Sequence, residues 1–341
     1  MVWFNIMGSA HKMEYLMKAI ITTKYGSPDV LQLKEVEKPA PNDDQVLVRV
    51  RAASVNILDL ANMGGSLPVR LISGGLQEPK YKILGADIAG RVEAAGRNAT
   101  QFQPGDEVFG DISVGGFAEY VCTLENKLAL KPANVSFEAA AASPVVGFTA
   151  LQGLRDKGQV QPGQKVLING ASGGVGTFAV QIAKSFEAEV TAVCSTRNLD
   201  IARSIGADHV IDYTQADFTQ NGKRYDLIFD IMASRPVSDY QRALGPSGIC
   251  VIAGFSKPTV SQMFQAMVVG PWVSRRRSQK IGFMGIAKPN QKDLVIIKEL
   301  LEAGKVVPVI DRHYSLSEVP EALRYLGEGH ARGKIVIDCG G

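Results

Sequence analysis

Hydrophobic and polar residues alternate in two different ways along this chain, and the pattern changes near residue 143. Before that point, short runs rich in β-branched and aromatic residues are separated by turn sequences such as GSPD and QPGD, which is typical of antiparallel strands. After it, apolar runs such as KVLI (165–168) alternate with segments whose apolar residues recur at helical spacing, as from Val175 to Phe186. The first half predicts a compact antiparallel barrel, and the second predicts βαβ units around a parallel sheet.

Two stretches of the chain fit neither pattern. Residues 1–16 lack the basic start and the apolar run of a signal peptide, so we interpret them as a flexible extension, with Met17 opening the folded chain. The segment from Asn62 to Lys82 is rich in glycine and proline, and loops of that length are usually functional, so we expect a lid there. No apolar run reaches the roughly 18 to 20 residues that are needed to cross a bilayer.

The charge of the chain is nearly balanced, with 37 Lys and Arg residues against 34 Asp and Glu residues. A net charge of +3 argues against a nucleic-acid binder, because such proteins carry a strongly basic face. The run Arg275–Arg277 is a local exception, and such runs more often form a solvated face than a site for RNA or a membrane. We therefore expect neither nucleic acid nor a membrane as a partner.

The cysteines and histidines are scattered along the chain. The four cysteines form no CxxC pair, and no histidine lies at ligand spacing from them, so the sequence predicts neither a metal centre nor a disulfide framework. Free thiols suit a reducing compartment, and we expect a cytoplasmic protein.

The sharpest local motif is GASGGVG at 170–176, which follows a predicted strand and opens a predicted helix. In that context a glycine-rich turn exposes backbone N–H groups at the positive end of a helix dipole, and a diphosphate needs both. The motif predicts a dinucleotide site. The alternative is a glycine turn that only packs a helix onto a strand.

The end of the next predicted strand indicates which dinucleotide is bound. An NAD site usually has an Asp or Glu there for the ribose 2′-hydroxyl, whereas this chain has Ser195, Thr196 and Arg197. Two hydroxyls and a guanidinium suit a 2′-phosphate, so we expect NADPH as the cofactor. The alternative for Arg197 is an ordinary exposed residue at the start of a helix.

From Met17 to Asp338 the chain resembles the zinc-independent branch of the medium-chain dehydrogenases/reductases, the quinone oxidoreductase-like proteins. The motifs that carry the resemblance are SVN (54–56), ILGADIAGRVEAAG (83–96), QPGDEVFG (103–110), GGFAEYV (115–121), GFTALQGL (147–154), VLINGASGGVGTFAVQIAK (166–184), CSTRN (194–198), GADHVIDY (206–213) and HARGKIVID (330–338). The resemblance implies an α/β protein with two domains. A GroES-like β-barrel catalytic domain comprises 17–136 and 288–341, and a Rossmann domain with a doubly wound parallel sheet comprises 137–287.

The resemblance also implies roles for individual residues toward the cofactor. Asn56 would orient the nicotinamide or the substrate, and Lys334 would reach the cofactor from the C-terminal tail. The alternative for Tyr213 is a half-exposed residue after a strand. The remaining implied contacts are Thr149, Ser172, Gly173, Gly174 and Val175 at the diphosphate and ribose, Ser195, Arg197 and Tyr213 at the 2′-phosphate, and Ala253, Gly254 and Phe255 along the nicotinamide.

The zinc-dependent branch differs from this chain at its ligand positions. It has Cys at the position of Asn56 and His-Glu where this chain has Ala86-Asp87, so the resemblance implies an enzyme without zinc. Hydrogen bonds from Asn56 and Asp59 would then polarise the substrate, which favours acceptors that are already activated, namely quinones and α,β-unsaturated carbonyls. The alternative for both side chains is the capping of a barrel turn.

Two departures from the family pattern and two alternative functions complete the prediction. The family often has Pro at the position of Ile57 and a glycine in the loop that here reads Asp230–Ser234. One alternative is an enoyl-thioester reductase with a basic pocket mouth, and another is a cofactor-binding protein that associates with RNA or a membrane. Relatives pair an edge strand across a two-fold axis, and Lys280–Met284 suits that role, so we expect a homodimer.

Overall fold

The computed structural model describes residues 15–65, 70, 75–256 and 259–340. The chain divides into two compact units, one of Met1–Pro144, Asn290–Lys298 and Ile310–Gly341, the other of Val145–Pro289 and Glu299–Val309. The predicted extension at 1–16 lies outside the described residues except for its last two, and so do 66–69 and 71–74 of the predicted lid. None of the described helices is long and apolar enough to cross a membrane.

The elements are named in chain order. The strands are β1 (Leu16–Thr22), β2 (Leu31–Glu37), β3 (Gln45–Ser54), β4 (Asp87–Ala95), β5 (Glu107–Asp111), β6 (Tyr120–Leu124), β7 (Leu128–Leu130), β8 (Lys165–Asn169), β9 (Glu189–Cys194), β10 (His209–Asp212), β11 (Tyr225–Asp230), β12 (Leu244–Ile252), β13 (Lys280–Phe283), β14 (Ile310–Ser315) and β15 (Lys334–Asp338). The α-helices are α1 (Ile57–Gly64), α2 (Phe137–Ala141), α3 (Pro144–Gln152), α4 (Gly174–Ser185), α5 (Leu199–Ser204), α6 (Val237–Ala243), α7 (Val260–Phe264), α8 (Gly270–Arg276), α9 (Gln291–Glu302) and α10 (Val319–Gly327).

The first unit is the predicted GroES-like domain. Its main sheet has the order β14-β15-β3-β4-β5-β7, with β6 also on β3, and every pair is antiparallel except β14 with β15. Buried and exposed positions alternate only in the middle of β3 and β4, and the buried valines and isoleucines of the sheet form one core with α10. The C-terminal strand β15 lies beside β3, so the two ends of the chain build one domain.

The second unit is the predicted Rossmann domain. Its six strands are all parallel and follow the order β10-β9-β8-β11-β12-β13. The inner strands β8, β9, β11 and β12 are mostly buried, as expected for a parallel sheet. The strand order reverses between β8 and β11, and ligands of such sheets bind outside the carboxyl ends of the strands at that point.

The predicted domain boundaries differ from the observed ones at both ends. The second unit begins at Val145 rather than at residue 137, because α2 buries its alanines against β3 and β4 of the barrel. Residues Glu299–Val309 belong to the second unit rather than to the barrel. Their link is Gln181 of α4, whose side chain accepts a hydrogen bond from Val307 N (2.8 Å) and donates one to Val307 O (3.0 Å).

The edge of the parallel sheet at β13 is partly covered by α8. The backbone N–H of Ile281 donates to Ser274 Oγ at 2.8 Å, and a Cβ on Gly270 would lie 2.7 Å from Ile281 O. A side chain at position 270 would therefore push the helix away from the strand. Covering an edge with a helix is a usual way to protect unpaired backbone groups.

A buried carboxylate ties the carboxyl ends of three parallel strands together. Asp230 at the end of β11 is fully buried, and its side chain accepts hydrogen bonds from Asn169 Nδ2 (2.8 Å), Met232 N (2.9 Å) and Tyr240 Oη (2.8 Å). Its backbone carbonyl accepts from Ala253 N beyond β12 (2.8 Å). Burial raises the pKa of Asp230 to about 6, against the opposing effect of these donors.

This pKa predicts a pH-dependent stability. Asp230 binds its proton more tightly in the folded protein than in the unfolded chain, and this difference contributes to the free energy of unfolding. The contribution is fully present below about pH 4 and is lost as the pH rises through 6. We expect the stability of wild type relative to Asp230→Asn to fall by about 2 kcal/mol between pH 4 and pH 7. Urea unfolding followed by tryptophan fluorescence measures this difference. Asp200→Asn, at an exposed side chain, controls for the lost charge, and a difference that does not vary with pH would contradict the prediction.

Candidate functional site

The glycine-rich turn after β8 depends on glycines at two positions. Gly170 has a φ of 84°, in the left-handed region that favours glycine. A Cβ on Gly176 would lie 2.1 Å from Gly170 O, so no side chain fits there. Around Gly173 the space is open, with no atom closer than 3.7 Å to a Cβ at that position. The turn thus presents accessible backbone at the start of the twelve-residue helix α4, which fits a diphosphate.

The predicted 2′-phosphate residues come together at the carboxyl ends of β9 and β10. Asp212 pairs with Cys194 in the sheet, and Tyr213 N donates to Cys194 O at 3.1 Å, which places Tyr213 beside the segment that begins at Ser195. The side chains of Tyr213 and Arg197 are exposed. No carboxylate side chain follows β9 directly, as the sequence predicted.

Among these predicted phosphate ligands, Thr196 is the one whose hydroxyl is bound to a carboxylate of the protein. Its hydroxyl donates to Asp212 Oδ2 at 2.6 Å and lies 3.1 Å from Thr214 Oγ1. The hydrogen bond from Thr196 holds the pKa of Asp212 below its usual value. This hydroxyl therefore serves a carboxylate, and Ser195 and Arg197 are the donors that can serve a phosphate.

Asn198 is a site residue that the sequence analysis missed. Its Nδ2 donates to Ser172 Oγ (2.9 Å) in the glycine-rich turn and to Ser195 Oγ (3.2 Å) after β9, so it joins the two segments. Its Oδ1 is buried and has no hydrogen-bond partner in the part of the chain that the structure describes. A buried acceptor without a donor fits the hydroxyl of a bound ribose. The available signal was its place in the motif CSTRN.

The residues predicted along the nicotinamide are positioned by the Asp230–Ser234 loop. Ala253 N is bound to Asp230 O, and Ala233 N donates to Gly254 O at 3.1 Å. A Cβ on Gly254 would lie 2.5 Å from Ile231 O, so this close approach requires glycine. The loop departs from the family pattern in sequence, yet it links the end of β11 to the segment after β12.

Thr149 is held within its own helix. Its hydroxyl donates to Val145 O at 2.8 Å on α3, so it keeps only acceptor capacity toward a ligand. Its predicted contact with the diphosphate stays a prediction.

In the first unit, polar residues from three strand ends form a buried cluster. Ser54 at the end of β3 pairs with Asp87 at the start of β4, and Lys334 opens the neighbouring strand β15. Lys334 is 3% exposed and Asp87 is fully buried. Their charges lie 3.5 Å apart, and Ser54 Oγ donates to Asp87 Oδ2 at 2.9 Å. Burial lowers the pKa of Lys334, and the charge of Asp87 opposes this shift.

The side chain of Asn56 is fixed at both ends by this cluster. Its Oδ1 accepts from Lys334 Nζ at 2.6 Å, and its Nδ2 donates to Asp87 Oδ2 at 3.0 Å. Lys334 Nζ also donates to Val55 O at 3.0 Å. Asn56 therefore has one defined orientation, and its amide groups are engaged within the protein.

Asp59 makes the contacts of a turn-capping residue. Its two carboxylate oxygens accept from the backbone N–H groups of Asn56 (2.8 Å) and Gly85 (3.1 Å). Burial raises the pKa of Asp59 to about 7, against the opposing effect of these two amides. The contacts favour the structural alternative for Asp59, and its catalytic role stays a prediction. Among the described residues, no three His, Cys, Asp or Glu side chains are grouped as a metal site.

Comparisons with known proteins agree with this architecture. Residues 42–133 match the family model of the alcohol dehydrogenase GroES-like domain, and residues 205–337 match that of the zinc-binding dehydrogenases. A mitochondrial NAD(P)H oxidoreductase of Danio rerio is 33% identical over 94% of this chain and 91% of its own length. A 2-methylene-furan-3-one reductase of Solanum lycopersicum is 33% identical over 94% of this chain and 79% of its own length.

A solved structure shows the same fold. The quinone oxidoreductase from Coxiella burnetii has a TM-score of 0.81 and 29% identity, over 95% of this chain and 99% of its own. Its likeness extends over both units, and the identity with the two sequence relatives extends over nearly the whole chain. The chain belongs to the medium-chain dehydrogenase/reductase family of NAD(P)H-dependent oxidoreductases, in its quinone oxidoreductase-like branch.

Proposed function

We propose that this protein uses NADPH in preference to NADH, and that it reduces quinones or α,β-unsaturated carbonyls without zinc. The observation that carries the cofactor preference is the end of β9, where Ser195 and Arg197 stand in place of an acidic residue, with Tyr213 beside them. An acid at this point would repel a 2′-phosphate, whereas a guanidinium attracts it.

The residues of the second unit would hold the dinucleotide along the carboxyl ends of the parallel strands. The backbone of the glycine-rich turn would bind the diphosphate, and Asn198 Oδ1 would accept from a ribose hydroxyl. The segment Ala253–Phe255, fixed by the Asp230–Ser234 loop, would support the nicotinamide, which supplies the hydride when bound.

The residues of the first unit indicate which acceptors suit the enzyme. Asn56 and Ala86 stand where the zinc-dependent branch has its Cys and His ligands, and an amide and a methyl group cannot replace them. A carbonyl is then polarised by hydrogen bonds alone, so acceptors that yield a stabilised hydroquinone or enolate are favoured. The names of the tomato and Coxiella relatives, an enone reductase and a quinone oxidoreductase, support the same class.

A substrate panel tests the reaction. NADPH oxidation should be faster with a quinone or an enone than with an aldehyde or an enoyl thioester, and NADP-dependent oxidation of a simple alcohol should be slow, because no metal acidifies the alcohol. EDTA should leave the rates unchanged. Robust alcohol oxidation without quinone or enone turnover would contradict the proposal, and so would one zinc per chain in elemental analysis.

Replacing Arg197 tests the cofactor preference. A charge-assisted hydrogen bond contributes about 1.5 to 3 kcal/mol, so Arg197→Ala should weaken NADPH binding roughly ten- to a hundredfold and leave NADH binding almost unchanged. The effect should shrink in high salt because the side chain is exposed. Fluorescence titration of both nucleotides measures it, with Arg203→Ala on α5 as the matched control. Equal affinity of the wild type for NADPH and NADH would show that this segment does not select the cofactor.

We also propose a homodimer. The edge of β13, which the sequence analysis chose as the contact, is partly bonded within the chain. Because Ser274 already accepts the N–H of Ile281, the edge of β13 is less open than the sequence predicted. The exposed Phe283 side chain is the apolar group left at that edge. Light scattering should give twice the 36.6 kDa mass of one chain, and a monomer at micromolar concentration would contradict it.

We also propose a reducing, cytoplasmic location, which the four free cysteines support.

A further inference from the structure

The side chain of Asn198 lies between the two serines that border the proposed dinucleotide site. Asn198 ends the short 3₁₀ turn Thr196–Asn198 after β9, and its backbone N–H donates to Ser195 O at 2.9 Å. The side chain is 5% exposed and extends to Ser172 in the glycine-rich turn after β8. Its amide therefore joins the ends of two strands that are neighbours in the parallel sheet.

The direction of these hydrogen bonds decides what the serines can offer to a ligand. Asn198 Nδ2 donates to both hydroxyls, at 2.9 Å to Ser172 Oγ and at 3.2 Å to Ser195 Oγ. A hydroxyl group has one proton and two acceptor positions. Each hydroxyl uses an acceptor position on the amide, and neither donates its proton within the described part of the chain. Both serines are partly exposed, so both protons are available to an acceptor on a bound ligand.

The second polar atom of the Asn198 amide has no donor of its own. Oδ1 is buried and accepts no hydrogen bond from any residue that the structure describes. The buried amide of Gln181 on α4 differs, because it donates to Thr177 O and Val307 O and accepts from Val307 N. A buried acceptor without a donor is unfavourable. The hydrogen bonds of Asn198 are therefore complete only when a ligand supplies the missing donor, which the ribose hydroxyl proposed above can do.

We propose that Asn198 is a positioning residue that contributes to the NADPH preference through Ser172 and Ser195. This proposal rests on the NADPH site proposed above. Because Asn198 occupies an acceptor position on each hydroxyl, the proton of Ser172 would be directed to the diphosphate and that of Ser195 to the 2′-phosphate. Hydrogen bonds to a charged group are roughly twice as strong as those between neutral groups. Only the contact of Ser195 distinguishes the two nucleotides, since NADPH and NADH both have the diphosphate.

A purely structural role for Asn198 makes a different prediction. A side chain that only joined the ends of β8 and β9 would stabilise the fold without favouring either nucleotide. An aspartate at this position separates the two roles, because it has the same shape but accepts hydrogen bonds only. The protons of Ser172 and Ser195 would then turn inward to the carboxylate and would no longer be offered to a phosphate.

Fluorescence titration of NADPH and NADH against a series of variants tests the proposal. Asn198→Ala should weaken the binding of both nucleotides and lower the ratio of NADPH to NADH affinity about fivefold. Asn198→Asp should lower this ratio further. Ser195→Ala, at a partly exposed side chain, should lower the ratio about as much as Asn198→Ala does, whereas Ser172→Ala should weaken both nucleotides equally.

A double-mutant comparison separates positioning from structure. In the background Ser172→Ala, Ser195→Ala, the change Asn198→Ala should no longer alter the affinity ratio, because the groups through which it acts are absent. Gln181→Leu is the matched control, since it removes a buried amide of the same unit that binds only Thr177 and Val307. It should lower the melting temperature and leave the ratio unchanged.

The outcomes distinguish this proposal from the cofactor preference itself. A wild type that prefers NADPH, with Asn198→Ala or Asn198→Asp keeping the same ratio, would overturn the role of Asn198 alone. So would an equal loss of ratio from Asn198→Ala with and without the two serines. Equal affinity of the wild type for NADPH and NADH would overturn both proposals. Melting temperatures measured for every variant show that each is folded under the conditions of the titration.

Discussion

The carboxyl ends of the parallel strands, where the nucleotide would bind, are held together by one buried carboxylate. Asp230 has no access to water, so its oxygens must find donors within the protein, and those donors come from the ends of β8 and β11 and from α6. Its backbone carbonyl also accepts a hydrogen bond from Ala253 N, in the segment after β12. The glycine-rich turn and the segment Ala253–Phe255 are therefore both attached to a single residue, one through its side chain and the other through its backbone carbonyl. A site that must hold a long cofactor in register needs this kind of support.

The buried cluster of the first unit is also held by buried polar groups that bind one another, here around a charged pair. Asp87 and Lys334 are buried together, and each is supplied with further partners, Ser54 and Asn56 for the carboxylate and Val55 O and Asn56 for the ammonium. Removal of one partner would leave a buried charge without compensation, which is strongly unfavourable. Asn56 gains its fixed orientation from this pair, so its position is set by residues far away in the sequence.

The elements of this protein could be predicted from the sequence because their signals are local. The apolar run KVLI (165–168) lies in β8, the helical spacing from Val175 to Phe186 coincides with α4, and the glycine-rich turn follows β8 as predicted. The resemblance supplied the domain order, which periodicity alone could not. The predicted boundary at 137 differs from the division at Val145, because an alanine-rich helix fits either domain and only its packing against β3 and β4 assigns it to the first unit.

The details of the site could not be predicted in the same way. Thr196 and Asp59 have side chains that suit a ligand, but their hydrogen bonds go to Asp212 and to backbone amides, and such partners depend on the fold. Asn198 was overlooked because an Asn after a strand is common, and its role appears only when β9 lies beside the glycine-rich turn. The exposure of the apolar side chains between Val260 and Trp272 likewise follows from packing, since their spacing would equally suit a buried helix.

The discontinuous first unit has a consequence for synthesis on the ribosome. All of the second unit has been made once residue 309 has emerged, so it can fold while the chain is still growing. The barrel cannot complete its sheet until residues 334–338 have also emerged, because they form β15, which pairs with β3. Until then Asp87 has no ammonium partner and the edge of β3 is open. The N-terminal half must therefore wait for β15, and during this interval its unpaired strand edge is open to aggregation.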